Sequence, residues 1–586
     1  MSAPGPLGRD VAVTRSVRNA RIGFAVGGAL LLIALAVALP RLAPQPKNAA
    51  RPTDPRPAVT SARTPDAEPA EAARLRIFTY FQEQPATLDP ARATDAYSAA
   101  IVSQVNSPLV GLTSSLEPTP AIAESWTISH DGLTYVFTLR QGVTFHNGRP
   151  VTADDFVYSL TRLFRQPQRS EGLAAGYLEA ILGVPEFESG KDSTIAGIRA
   201  TDPYHLEIRL SRPYSPLLAA LALDQTAPVP REIVDAPGGS EAYTANPIGC
   251  GPFRFVRREG EEKIVLAANP NYFLGRPQID SLIYLTPHGN VETLGAEALL
   301  RGEATMAQLP LDRVDEFRAR PGINVLRWQD LSLSFIGMNA TMPPLDDPHV
   351  RHAVALAMNR QAMFDYRPTG KVLAQGILPP GLPGYVPDPR TYAHDVDAAR
   401  SELKEAGYGP DHPLPELTLV KATGTPESRL IDTLMVNSLA EAGIRVRLQH
   451  VEWSALDSLI TGRHAQMFGL AWVADIPDPD TFLRALFYSK SPNNYFQYAN
   501  AKVDSLLDVA ALTPDQDARS RAFHIVERLV LESAPLVPLF HTATFIGLRA
   551  DVRGLEMNPL GISTLAMERL TLGDPSAQPD PLRASR

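Results

Sequence analysis

ELTLVKATGTPESRLIDTLMVNSLAEAGIRVRLQHV, residues 416–451, reads as one complete βαβ unit. The run 416–422 has strand composition, a helix follows from Glu427 to Ala442, Gly443 closes it, and IRVRLQHV (444–451) returns to strand. Two such strands joined by a crossover helix pair in parallel, because a parallel pair needs a long connection that packs back onto the sheet. Further out, LRIFTYF (75–81) has strand composition, and YHLEIRLS (204–211) alternates Leu206, Ile208 and Leu210 with polar neighbours, the mark of a half-buried strand. GPFRFVRREGEEKIVLAAN (251–269) gives two alternating runs around Glu259-Gly260, which predicts a hairpin. Thr152-Ala153-Asp154-Asp155 sets a hydroxyl three residues before a carboxylate and just ahead of Phe156, Leu160 and Leu163, a helix start. Strands and helices interleave, so the class is α/β with α+β regions. Pro-rich loops such as 377–392 divide the units, and no period of 20 to 50 residues repeats.

A chain of 586 residues exceeds what one hydrophobic core serves, so two or three lobes are expected. With a net charge of -9 and no long Lys/Arg run in the body, a phosphate-tracking surface is not indicated, and nucleic acid is not an expected partner. Cys250 is the only cysteine, which excludes an intramolecular disulfide and every CxxC motif; its expected state is a buried, inert thiol.

Residues 1–21 form a basic tail with Arg9, Arg15, Arg18 and Arg21, followed by the uncharged apolar run IGFAVGGALLLIALAVAL (22–39). Its 18 residues approach the ~20 a spanning helix needs, which favours a signal anchor. Ala36-Val37-Ala38 resembles a cleavage site and leaves a cleaved signal peptide as the alternative. The Pro/Ala-rich stretch 40–73 reads as a spacer, and 574–586 as an unstructured tail. The folded body is then 74–573, facing outward from an inner membrane in the periplasm.

Catalytic signatures are missing: GxSxG, HExxH, GxxxxGK[ST] and GxGxxG do not occur. Gly249-Cys250-Gly251-Pro252-Phe253 lacks a third glycine and reads as a turn opening a hairpin strand. His349 and His352 share a predicted helix at i,i+3, yet two ligands do not make a metal site, and a solvated face is the expected reading. No enzyme, metal or cofactor is expected.

One ordered set of blocks resembles a known family. TLDPARATDAYSAAIVSQVNSPLVGL (87–112) and AIAESWTISHDGLTYVFTLRQGVTFHNGRPVTADDFVYSLTRL (121–163) are followed by NPIGCGPFRF (246–255), ANPNYFLGRPQIDSLIY (268–284), DDPHVRHAVALAMNR (346–360), WVADIPDPDTFL (472–483), NNYFQYANAKVDSLL (493–507) and ESAPLVPLFH (532–541). Together they resemble the family 5 extracellular solute-binding proteins, which include oligopeptide-, dipeptide- and nickel-binding receptors of ABC importers. The resemblance implies a periplasmic-binding-protein type II-like α/β fold, bilobal with an inserted third lobe and two crossover hinge strands. Residues 74–112, 229–334 and 545–573 would form lobe I, 113–228 the inserted lobe II, and 335–544 lobe III, with crossovers near Phe335 to Asn339 and Leu539 to Thr544. It implies that Asp475 neutralises a ligand's α-ammonium, a charge-assisted bond worth roughly 1.5–3 kcal/mol. Trp472, Val473 and Ala474 would offer strand backbone, Asp95, Ala96 and Tyr97 would face them from lobe I, and Asn339 would complete the ligand-binding set. On the residues alone, Asp475 also suits a turn cap before Ile476-Pro477-Asp478-Pro479, and Trp472 and Tyr97 suit ordinary interlobe packing.

The implied function is a monomeric, non-enzymatic receptor that takes short peptides between two lobes and passes them to ABC permease subunits. The family also spans nickel-chelate, haem, glutathione and sugar ligands, and an alternative for this chain is an anchored sensor or scaffold that uses the same cleft but feeds no permease.

Overall fold

The computed structural model describes residues 75–166, 174–388, 391–424, 426–513 and 515–573. The basic tail, the apolar run 22–39, the spacer to residue 73 and the tail 574–586 lie outside the described residues. Among the described residues no helix is long and apolar enough to cross a membrane.

The βαβ unit forms as its pattern demands. Strands Leu417–Ala422 and Val446–Val451 pair in parallel, Leu417 opposite Val446 and Ala422 opposite Val451, and the helix Pro426–Glu441 carries the chain across. Met435 and Leu439 of that helix are buried in one cluster with Leu417 and Leu419, so burial of the strand face and of the helix stripe are the same event. Gly443 leaves the helix at φ +90°, a backbone conformation that favours glycine. The sheet continues through Met467–Val473 to Ser332–Met338, which runs antiparallel to it.

A second sheet runs Phe253–Glu259, Lys263–Ala268, Ser281–Leu285, Ile77–Phe81 and Met306–Gln308. Its first two strands are the predicted hairpin, with Glu259 opposite Lys263 and Gly260 turning at φ +59°. The insert has its own antiparallel sheet, in the order Ala123–Ile128, Thr134–Leu139, His205–Arg209, Ile198–Asp202. Leu206, Ile208 and Leu210 are buried on one face of it, and the helix Ala153–Arg162 places Phe156 and Leu160 in the same core. That helix begins as its sequence predicts, with the Thr152 backbone N–H donating to the Asp155 carboxylate at 2.9 Å. At its far end Arg162 makes a buried two-point pair with Asp89 of the first lobe, Nη1 to Oδ1 at 2.7 Å.

One strand belongs to both large sheets. Leu536–Arg549, 14 residues long, pairs with Ser332–Met338 near its start and with Ile323–Gln329 and Met306–Gln308 over its second half. The outgoing chain changes sheets at Asp330–Leu331, upstream of Phe335–Asn339, beside Phe540–Ala543 of the returning strand. Register shows this directly: Gln329 faces Ala543 in one ladder, and Ser334 faces Phe540 in the next. At the passage the Asp330 N–H donates to the Thr542 carbonyl at 3.1 Å, and Asp330 Oδ2 accepts from the Thr542 hydroxyl at 2.9 Å and the Thr544 hydroxyl at 3.3 Å. Burial pushes the Asp330 carboxyl up to about 6.

The GCG segment is a close-approach device. The Gly251 N–H donates to the Val105 carbonyl at 2.8 Å, and a Cβ on Gly249 would lie 2.1 Å from that same oxygen. Cys250 between them is buried, and burial pushes its thiol up to about 12, which keeps it protonated and inert. His349 and His352 stand on the helix Pro348–Ala357 and hold its neighbours: His349 Nδ1 lies 2.7 Å from the Glu402 carboxylate and His352 Nε2 lies 2.8 Å from the Glu532 carbonyl. Gly249→Ala must displace the backbone of the helix Ala96–Val105, so it should cost at least the ~1–3 kcal/mol of overpacking and lower the urea midpoint with little change in slope.

Candidate ligand-binding cleft

Trp472 and Val473 end the strand Met467–Val473, with Trp472 opposite Leu333 and Val473 opposite Ser332. The Ala474 N–H donates to the Leu331 carbonyl at 2.8 Å, so this segment runs against the passage between the sheets. Its other edge meets Leu417–Ala422 only at Met467 and Phe468, and Val473 is 48% exposed. A strand edge of that kind offers main-chain donors and acceptors to an extended guest.

The sequence ends the strand for a plain reason. Pro477 and Pro479 cannot donate to a ladder. The chain folds back instead: Asp478 accepts from the Asp480 N–H at 3.0 Å, and Trp472 Nε1 donates to the Thr481 carbonyl at 2.7 Å. Arg519 of the helix Gln516–Ser533 grips Asp478 with two bonds, at 2.8 and 3.0 Å, both partners buried. Asp480 beside them is also buried; desolvation and then the Asp478 charge raise its carboxyl, against the pull of Arg484 and Arg519. This anchored turn fixes where Asp475 stands.

Asp475 is half-buried, and its Oδ2 accepts a hydrogen bond at 2.9 Å from the hydroxyl of Tyr177, at the end of the insert-lobe helix Ala174–Tyr177. Ser215 joins the same two lobes, its N–H donating to the Ala511 carbonyl at 3.1 Å and its hydroxyl to the Thr513 carbonyl at 2.8 Å. The carboxylate therefore sits at a meeting of lobes. Tyr177 is the residue that the sequence did not flag; 298 positions separate it from Asp475, and no local pattern marks it.

Asp95, Ala96 and Tyr97 begin the helix Ala96–Val105 in the first lobe. Asp95 caps it by accepting from the Ser98 N–H at 2.8 Å, and the Tyr97 carbonyl accepts from Gln82 Nε2 at 3.0 Å. Asp95 and Tyr97 line a cavity of about 450 Å³ with Glu83 and His288, while Ala96 is exposed beside it. Burial, then the charges of Glu83, Glu292 and Asp95, raises the Tyr97 phenol, so this wall carries a negative field. None of residues 472–475 is among those lining this cavity.

Asn339 stands apart from Trp472, Val473 and Ala474. It lies past Met338, which pairs with Met467 at the end of the ladder remote from Val473; at ~3.3 Å per residue that is about 20 Å away. Its side chain is buried and occupied locally, Nδ2 donating to the Arg463 carbonyl at 3.3 Å and Oδ1 accepting from the Thr341 N–H at 3.1 Å and the Thr341 hydroxyl at 2.8 Å.

One strand serves both large sheets, and the Asp475 carboxylate meets the insert at Tyr177. Residues 117–494 match the family described as bacterial extracellular solute-binding proteins, family 5 Middle. The chain belongs to that family. A probable di/tripeptide-binding protein 5 of Pseudomonas aeruginosa is 33% identical over 77% of this chain and 87% of its own length. Among solved structures, the MppA periplasmic murein tripeptide-binding protein in its unliganded open form superposes with a TM-score of 0.74 at 25% identity, covering 85% of this chain and 98% of that one. The periplasmic binding protein DppA of Helicobacter pylori, in complex with the peptide STSA, gives a TM-score of 0.68 at 26% identity, with 85% and 98% covered. This is a family of extracytoplasmic solute receptors, not of enzymes.

The anchored turn can be tested by its stability. Asp478→Ala leaves the Arg519 guanidinium buried without its partner, and urea denaturation should show a loss of about 3–5 kcal/mol.

Proposed function

We propose that this receptor captures short peptides between its first and third lobes, receives the peptide's α-ammonium at Asp475, and delivers the cargo to an ABC permease. The observation that carries the reading is the position of Asp475: a carboxylate at the end of a half-open strand edge, beside the passage between lobes, facing the insert lobe. The edge of residues 472–474 reads main chain, which every peptide has, and the carboxylate reads the amino end. Asp95, Ala96 and Tyr97 supply the facing wall, and its negative field favours a positively charged guest. The relatives named above support this reading, since two carry di- or tripeptides in their names and a third was solved with a peptide bound.

Residues 22–39 tether the receptor to the inner membrane in this reading, and 40–73 hold the binding body, a monomer, clear of the surface. Native mass spectrometry of freshly purified protein should reveal short peptides; a haem, nickel-chelate, glutathione or sugar mass would name another ligand on the same fold.

Calorimetry decides the role of Asp475. Asp475→Asn should weaken peptides with a free amino terminus by about 10- to 100-fold, and N-acetylation of the peptide should cost wild type a similar factor. Equal affinity for free and acetylated peptides would defeat the assignment.

A further inference from the structure

We propose that the Asp330 carboxylate is a proton-sensitive pin in the hinge: protonated, it holds the passage between the two large sheets as seen here; ionised, it drives the lobes toward an arrangement in which water reaches it. The proposal depends on the passage itself and not on what the cleft binds.

The pin touches both sides of the passage. Asp330 Oδ2 accepts from the hydroxyl of Thr544, which stands opposite Trp328 in the first-lobe ladder, and from the hydroxyl of Thr542. The Thr542 hydroxyl lies 2.6 Å from the Ser332 hydroxyl, and the Thr542 N–H donates to Ser332 Oγ at 3.0 Å. Ser332 begins the third-lobe strand Ser332–Met338 and faces Val473 across that ladder. An ionised carboxylate only accepts, so it sets the direction of the whole group: Ser332 donates to Thr542, and Thr542 and Thr544 donate to Asp330. A protonated carboxyl carries a hydrogen of its own and releases that order.

Charge is the costly state at this place. Burial is the largest influence on the carboxyl and outweighs the two hydroxyls that favour ionisation, which is why it is pushed up to about 6 from its ordinary 3.8. His541, Lys371 and Arg327 flank the passage without shifting it. His541 Nδ1 lies 2.7 Å from the Ser332 carbonyl, and burial lowers its imidazole to about 4. Lys371 sets its ammonium 5.5 Å from the centre of the Phe540 ring, and Arg327 Nη2 donates to Gln329 Oε1 at 3.4 Å. The segment 558–561, whose Pro559 carbonyl accepts the Leu331 N–H, carries no charge.

A group that holds its proton more tightly when buried favours, once protonated, the arrangement that buries it. Asp330 is half-buried, so a small turn of the lobes at this point changes its access to water. Acid therefore favours the lobe arrangement seen here, and the preference fades as pH rises through about 6. The roughly two units between the buried and the hydrated carboxyl cap the effect at about 100-fold. Affinity for any guest held between the first and third lobes carries the same factor, whatever the chemistry of the guest.

The test follows lobe separation in the ligand-free, full-length receptor by single-molecule energy transfer. Dyes are placed on Arg258→Cys, at the exposed edge of the first-lobe sheet, and on Lys404→Cys, on the exposed face of the third-lobe helix Val396–Glu405; Cys250 is buried and inert. Between about pH 5 and about pH 8 the ratio of the lobe arrangements should shift by roughly 3- to 30-fold. Asp330→Asn, neutral at every pH, should keep the acid-side distribution throughout. Burial also raises Asp480 and Glu527, so the comparison of the two receptors isolates Asp330 where pH alone does not. In thermal unfolding, wild type should lose stability relative to Asp330→Asn as pH rises from about 4 to about 7, because the raised carboxyl gives up its proton inside the fold. A distance shift that is equal in both receptors, or absent from wild type, overturns the proposal. A relative stability that does not change with pH overturns it too, since the carboxylate would then already be in water. Failure of the Asp475 assignment would leave all of these outcomes unchanged.

Discussion

Everything in this receptor depends on one shared strand. Leu536–Arg549 is hydrogen-bonded into both large sheets, and the outgoing chain leaves one ladder and enters the next beside it at Asp330–Leu331. Two antiparallel passages at one place form a double crossing of the kind that serves as a hinge. The polar knot there, Asp330 with the hydroxyls of Thr542 and Thr544, satisfies backbone and side-chain groups that a change of sheet would otherwise strand. Residues 472–474 lie against the passage because the Ala474 N–H bonds the Leu331 carbonyl.

Two contacts of different kinds bear on Asp475 and the turn that follows it. From below, a buried Arg519–Asp478 pair fixes the turn after the strand, a device whose strength is that removing either partner leaves an uncompensated charge. From across the lobe boundary, a neutral phenol meets the carboxylate itself. The cavity beside Asp95 and Tyr97 is acidic, with Glu83 and Asp95 lining it and no Lys or Arg among the residues that define it.

Sequence reasoning reached those parts that local pattern controls. The βαβ unit at 416–451 follows from the change between a two-residue and a 3.6-residue period, and the capping box at Thr152–Asp155 and the hairpin at Gly260 follow from residue chemistry. The burial of Cys250 agrees with the reading of a lone cysteine as an inert thiol. Long-range facts were not legible. The chain changes sheets at Asp330 rather than near Phe335, since strand residues on either side of such a passage have the same composition and only the pairing partner differs. Asn339, grouped with the ligand-binding residues by resemblance, has its amide turned onto Arg463 and Thr341, remote from Val473. Tyr177 meets Asp475 only through the packing of a separate lobe, which no window of sequence contains.

The most direct test is a crystal structure of the receptor with a bound dipeptide. The α-ammonium should lie within about 3 Å of the Asp475 carboxylate, with the lobes turned toward each other about Asp330–Leu331 and Phe540–Ala543. A dipeptide whose amino end points away from Asp475, or one bound with the lobes unmoved, would contradict the account.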